Sequence, residues 1–247
     1  MNFKSCLFFT LFFAAACSVP NLPASMNYQG YKVDAKVKPD TALTNLLQPY
    51  SASIRNIMSE VIGFSNSNMY KAQPESVLGN FMADCMLTMA AQKFNQPVDI
   101  AFMNQGGIRS DINRGNVTMA SMYELMPFDN LLILQQVKGT VLEQFIQLVA
   151  ADGGWPISKG SSFRIKSKKA VDIIINGKPI DLNATYTIAN TDYIANGGSN
   201  ASMFKGLPIQ NIGYLLRDAL ADYTKQLTKA GKPVDGQLEN RVTIINE

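Results

Sequence analysis

The chain has 247 residues, 47% of them hydrophobic, with 22 lysines and arginines against 19 aspartates and glutamates and no histidine. Such a chain can bury a substantial core, and a net charge of +3 with no long run of either sign gives no footprint for nucleic acid. The missing histidine excludes a histidine general base, a Ser-His-Asp triad and any histidine metal ligand.

The chain begins "MNFKSCLFFTLFFAAACSVP", with one lysine, Lys4, and an apolar run over 7–16 that ends in small residues. That run is too short to cross a bilayer as a helix and has the shape of an export signal. Ala14, Ala15, Ala16 and Cys17 resemble the lipobox of bacterial lipoproteins, in which the cysteine is diacylated; ordinary cleavage near Cys17 is the alternative. The expected organisation is a signal at 1–17, a polar tether at 18–29 and one domain at 30–247. The expected location is the bacterial cell envelope, lipid-anchored through Cys17, at the outer membrane or in the periplasm. Ser18 leans outward, because it replaces the aspartate associated with inner-membrane retention. Cys6 leaves with the signal, so Cys85 alone remains in the body; its apolar neighbours at helical spacing predict a buried free thiol.

Apolar residues at helical intervals predict a helix over 41–62, kinked or divided at Pro49. Pro74 is expected to open a core helix in "PESVLGNFMADCMLTMAAQKF", where its missing N–H costs nothing. "VDIAFM" (98–103) reads as a buried strand feeding a glycine loop, with "NLLILQQV" (130–137) as its partner. Gly139 opens an amphipathic helix that stops at Gly153 and Gly154. "SFRIKS", "AVDIIINGKPI" and "TYTIANTDYI" read as strands, with a two-residue hairpin at Asn176 and Gly177. A helix from Asn211 to Gly231 and a strand "RVTII" complete the chain. The alternation implies an α/β (α+β) fold, a mixed sheet flanked by helices.

Two glycine loops carry the functional signal. In "NQGGIR", Gly106 and Gly107 are expected to turn with positive φ and admit a ligand to the backbone. Arg109 offers a charged fork for phosphate or ribose hydroxyls, and Asn104 a donor and acceptor for a base edge. A tight turn with a surface arginine is the plainer alternative. "ANTDYIANGGSN" repeats the pattern with Asn196, Gly197 and Gly198 after Tyr193, so the two loops are expected to face one cleft. Phe128, held by Pro127, is the second aromatic; with Tyr193 it could sandwich a planar base, unless both rings are core. Asp99, Asp111, Glu124 and Asp129 are spread over different elements and show no metal-ligand spacing.

The run "NQGGIRSDINRGNVTMASMYELMPFDNLLILQQVKGTVLEQFI" resembles the hallmark region of the C-terminal domain of 5'-nucleotidases. "YTIANTDYIANGGSNASMF" is similar to that domain's second signature, and "ESVLGNFMADCM" and "GYLLRDALADY" to its opening and closing helices. The resemblance covers roughly residues 30–247. It implies a substrate-binding domain of α/β fold, with the metal-dependent hydrolysis in a separate metallophosphoesterase domain. No cofactor is implied in this chain, and divalent metals are expected in that catalytic partner. Carried over by position, Phe128 and Tyr193 match the base-stacking aromatics, Asn104 a base contact and Arg109 an arginine near ribose and phosphate. Gly106, Gly107, Asn196, Gly197, Gly198 and Ser199 complete the implied site. Ser199 departs from the pattern, standing where the family has an aspartate for the ribose hydroxyls, and Pro74 falls where some members have a further arginine. The function implied is the nucleoside- or nucleotide-recognition half of a split 5'-nucleotidase. The alternatives are a stand-alone nucleoside-binding lipoprotein and a structural or interaction module.

Overall fold

The computed structural model describes residues 25, 27–32, 34 and 36–245. The export signal expected at 1–17, with Cys17, and most of the tether lie outside the described residues. The chain divides into two units, Met1–Gln48 and Pro49–Glu247. Helix α1 (Thr41–Met58) begins where the Asp40 carboxylate accepts the N–H groups of Ala42 (2.9 Å) and Leu43 (3.1 Å), and Pro49 lies within it rather than dividing it. Its apolar stripe, from Leu43 to Ile57, is exposed.

Within the second unit, helix α2 (Val77–Phe94) forms the main support of one core. It starts later than Pro74 would place it, because the Ser76 hydroxyl accepts the N–H of Gly79 at 3.0 Å and so supplies the cap that proline cannot. Leu78, Phe81, Met82, Cys85, Met86 and Met89 are all buried, so the thiol is free and in the core as expected.

The sheet that organises the molecule has the order β2 (Ile100–Ala101), β8 (Thr185–Thr191), β4 (Leu132–Lys138), β9 (Ile209–Gln210). Strand β8 runs parallel to β2 and antiparallel to β4. The expected pairing of 98–103 with 130–137 is therefore corrected: β8 stands between them. The reason is that β8 is buried from Ile188 to Thr191 and must find backbone partners on both edges. Side chains alternate across this sheet. Leu132, Leu134 and Ala189 join α2, α3 (Met119–Leu125) and α6 (Leu216–Lys229) in one core. Val137 and Ile188 face the other way, toward α4 (Gly139–Ala151).

Helix α4 is shared with a second mixed sheet, ordered β10 (Val242–Ile244), β5 (Ser162–Lys166), β6 (Lys169–Ile175), β7 (Lys178–Pro179). Asn176 and Gly177 make its predicted hairpin, with φ of 48° and 76°. A ribbon of β1 (Val61–Ser65) and β3 (Gly115–Thr118) completes the fold. The α/β class is as expected, with two mixed sheets that share helix α4 where one sheet was anticipated. Helix α6 starts at Leu216 rather than Asn211. The residues before it bond instead to the entry of β4, the Leu132 N–H donating to Tyr214 O (2.8 Å) and the Leu216 N–H to Asn130 O (2.9 Å).

Candidate functional site

Three loops meet at one end of the central sheet because of strand direction alone. Strands β2 and β8 are parallel neighbours, so both deliver their following loops at the same edge. Strand β4 is antiparallel to β8, with Leu132 opposite Thr191, so the turn that precedes β4 arrives there too. Loops at the carboxyl ends of parallel strands are where open α/β sheets bind ligands.

The first loop makes a 3-10 turn over Gln105–Gly107. Neither Gly106 nor Gly107 has positive φ, which corrects the sequence expectation. Gly107 is needed for a different reason: a Cβ there would fall 2.6 Å from Met103 Cε and 2.9 Å from Asn104 Oδ1. The second loop leaves β8 through a short helix, α5 (Asp192–Ala195), capped by Thr191, and turns at Gly197 with φ of 87°. Ser199 follows in the left-handed region at φ 49°. The two loops are braced by one ring. Phe145 of α4 contacts Phe102, ahead of the first loop, at 4.9 Å between centroids, and Phe204, behind the second, at 4.6 Å.

Between the loops lies a cavity of about 260 Å³ lined by Asn104, Gly106, Gly107, Phe128, Asn130, Tyr193 and Ser199. Six of the residues singled out in the sequence thus converge. Phe128 and Tyr193 are 40% and 47% exposed, so neither ring belongs to the core. Asn104 is buried, and its Oδ1 has no hydrogen-bond partner.

The other four stand behind or beside the cavity. The exposed Arg109 donates to Gly106 O at 3.3 Å, and its guanidinium carbon lies 5.8 Å from the centre of the Phe128 ring. Asn196 turns its amide back to Asp192 O at 2.8 Å. Gly197 lies against the Lys205 side chain, and Gly198 against the Tyr193 ring, where a Cβ would fall 2.5 Å from Cζ. These three shape the loop. Asn130 was not singled out in the sequence; its signal is its place two residues after Phe128 in "PFDN", on the same turn.

The lining side chains are all uncharged. Nearby carboxylates are engaged in the scaffold: Asp192 accepts the N–H groups of Leu131 and Tyr193, both at 2.9 Å, and Asp152 accepts Trp155 Nε1–H at 2.6 Å. Among the described residues no group of three or more histidines, cysteines, aspartates or glutamates is placed to hold a metal ion. The residues around this cavity therefore do not fit a divalent metal centre.

The family model described as 5'-nucleotidase, C-terminal domain, matches residues 56–206. The chain is 32% identical over 173 residues to Endonuclease YhcR of Bacillus subtilis, covering 67% of this chain and 14% of that protein. It is 26% identical over 196 residues to Protein UshA of Yersinia enterocolitica, covering 77% and 36%. Among solved structures it is similar to the 5'-nucleotidase precursor from Thermus thermophilus, with a TM-score of 0.64, 25% identity, and coverage of 83% of this chain and 43% of that one. The Haemophilus influenzae NAD nucleotidase shares the fold at a TM-score of 0.64 and 19% identity, with coverage of 84% and 42%. The chain thus spans less than half the length of each of these relatives.

Proposed function

This chain belongs to the 5'-nucleotidase C-terminal domain family, and from that premise we propose that it is the exported nucleotide- or nucleoside-recognition half of a split 5'-nucleotidase. In this reading a base stacks between Phe128 and Tyr193, while a separate metallophosphoesterase holds the divalent metals and hydrolyses the phosphate monoester. Alone, the chain binds and does not hydrolyse. The observation that carries the reading is the uncharged cavity with two half-exposed rings and two amides, Asn104 and Asn130, at its wall.

Base stacking on an aromatic ring is worth about 1–3 kcal/mol and tolerates any base. Asn104 Oδ1, buried without a partner, is a ready acceptor for a base N–H; leaving such an atom unpaired costs about 1–3 kcal/mol. Ser199, in place of an aspartate, offers ribose hydroxyls a neutral hydrogen bond, weaker than a charge-assisted one. Such positioning assists a partner's chemistry by removing the entropy of orientation, and remote binding energy raises turnover as well as affinity.

A second reading, a stand-alone nucleoside-binding lipoprotein anchored through Cys17, is favoured by one observation: Arg109 is not among the residues lining the cavity. Isothermal titration of the full chain with adenosine and AMP, repeated with Phe128→Ala, separates the cases. Tighter binding of AMP supports the split enzyme, and equal binding the stand-alone binder. Loss of binding in Phe128→Ala supports the aromatic clamp in either case. No binding of either ligand at millimolar concentration would sink both and leave an interaction module.

A further inference from the structure

Arg217 occupies the first turn of α6, the end of a helix where a cation is disfavoured by the exposed N–H groups, and its side chain is only 8% exposed. Burying a charge in such a place requires partners; among the described residues, those of its two Nη groups lie on the segment that presents Phe128, and its Nε–H has none. Arg217 Nη1–H donates to Met126 O and to Phe128 O, each at 3.4 Å, and Nη2–H to Asp129 Oδ1 at 2.9 Å. The guanidinium carbon stands 4.2 Å from the centre of the Tyr123 ring, in the helix just before the turn.

We infer that Arg217 is a positioning residue: its guanidinium fixes the 126–129 turn and thereby sets the place of the Phe128 ring at the cavity. Phe128 is 40% exposed, with the Arg109 guanidinium carbon 5.8 Å from its ring centre, so burial alone does not hold the ring and the backbone turn beneath it contributes to its place. Arg217 holds that backbone through the carbonyls of Met126 and Phe128, and pairs with the side-chain carboxylate of Asp129 next to it. The planar fork serves these acceptors from two nitrogens held in fixed geometry, where a lysine offers a single point charge on a flexible stem. The consequence for ligands rests on the nucleoside-binding reading above: a ring held in place before binding loses less entropy when a base stacks on it.

The test uses the full chain with Arg217→Lys, Phe128→Leu and the double variant, read by adenosine titration and by amide exchange in the unliganded protein. Arg217→Lys is expected to weaken adenosine binding about tenfold when Phe128 is present and by much less in the Phe128→Leu background, because the arginine acts through that ring. Exchange over 126–131 is expected to rise about tenfold, with α2 and β4 unchanged, a local effect that general destabilisation does not produce. Equal losses in the two backgrounds, or unaltered exchange over 126–131, overturn the inference. Absence of adenosine binding in the unsubstituted chain overturns the functional reading instead, and the exchange result then decides the role of Arg217 by itself. Should Arg217→Lys not fold, Asp129→Ala removes a partner that is 83% exposed and carries the same two readouts.

Discussion

The phenolic oxygen of Tyr193 accepts the backbone N–H of Ser199 at 3.2 Å. The bond joins the ring proposed to stack on a base to Ser199, which the resemblance sets in the place of an aspartate. Ser199 sits in the left-handed region without being glycine, a conformation that neighbouring contacts must hold. Tyr193→Phe keeps the ring and removes the tie. The expected outcome is a loss of about 0.5–1.5 kcal/mol in loop stability and up to about tenfold in adenosine affinity; titration and thermal melting check both.

Gly198 is in contact with the face of the same ring. Gly198→Ala places a methyl 2.5 Å from Tyr193 Cζ, so the ring must move. Overpacking of this kind costs about 1–3 kcal/mol. Urea denaturation should show that cost, and adenosine binding should fall further than in Tyr193→Phe, since here the ring itself is displaced.

Phe145 braces the approach to one loop and the exit of the other, and also meets Trp155 at 5.7 Å. Phe145→Ala opens a cavity between them and is expected to cost about 3–5 kcal/mol. Amide exchange should quicken at both 104–107 and 196–200, although the two segments are far apart in sequence. Quickening at one alone would show that the ring does not couple them.

Stability should decline in alkali. Burial, and then the charges of Asp222 and Asp84, push the Cys85 thiol well above its usual 9.0. Burial first, and then the hydrogen bond donated to Asp222, raises the Tyr214 phenol above 10.0; Tyr223 is raised too, chiefly by burial. The unfolded chain releases these protons from about pH 9 upward while the folded chain keeps them, so their contribution is fully present below that pH and lost as pH rises. Urea midpoints at about pH 7.5 and about pH 10.5 measure the decline, which should be shallower in Cys85→Ala.

The sequence by itself determined the local pieces and pointed to six of the residues that line the cavity. Helix α2 was legible from its apolar stripe, the β6–β7 hairpin from Asn176 and Gly177, and β4 from an apolar run, because local periodicity and turn chemistry are written in adjacent residues. Asn104, Phe128, Tyr193 and Ser199 were legible through their motifs. Only the tertiary structure decided that β8 separates β2 from β4, since pairing depends on which strand must satisfy backbone groups on both edges. It alone moved Arg109 from the expected wall of the cavity to its side and brought Asn130 into the lining. It also set Arg217, which reads as one more surface charge on an amphipathic helix, beneath a turn nearly ninety residues away in sequence. Burial of a charge is decided by partners distant along the chain, and no local pattern of residues encodes which partners those are.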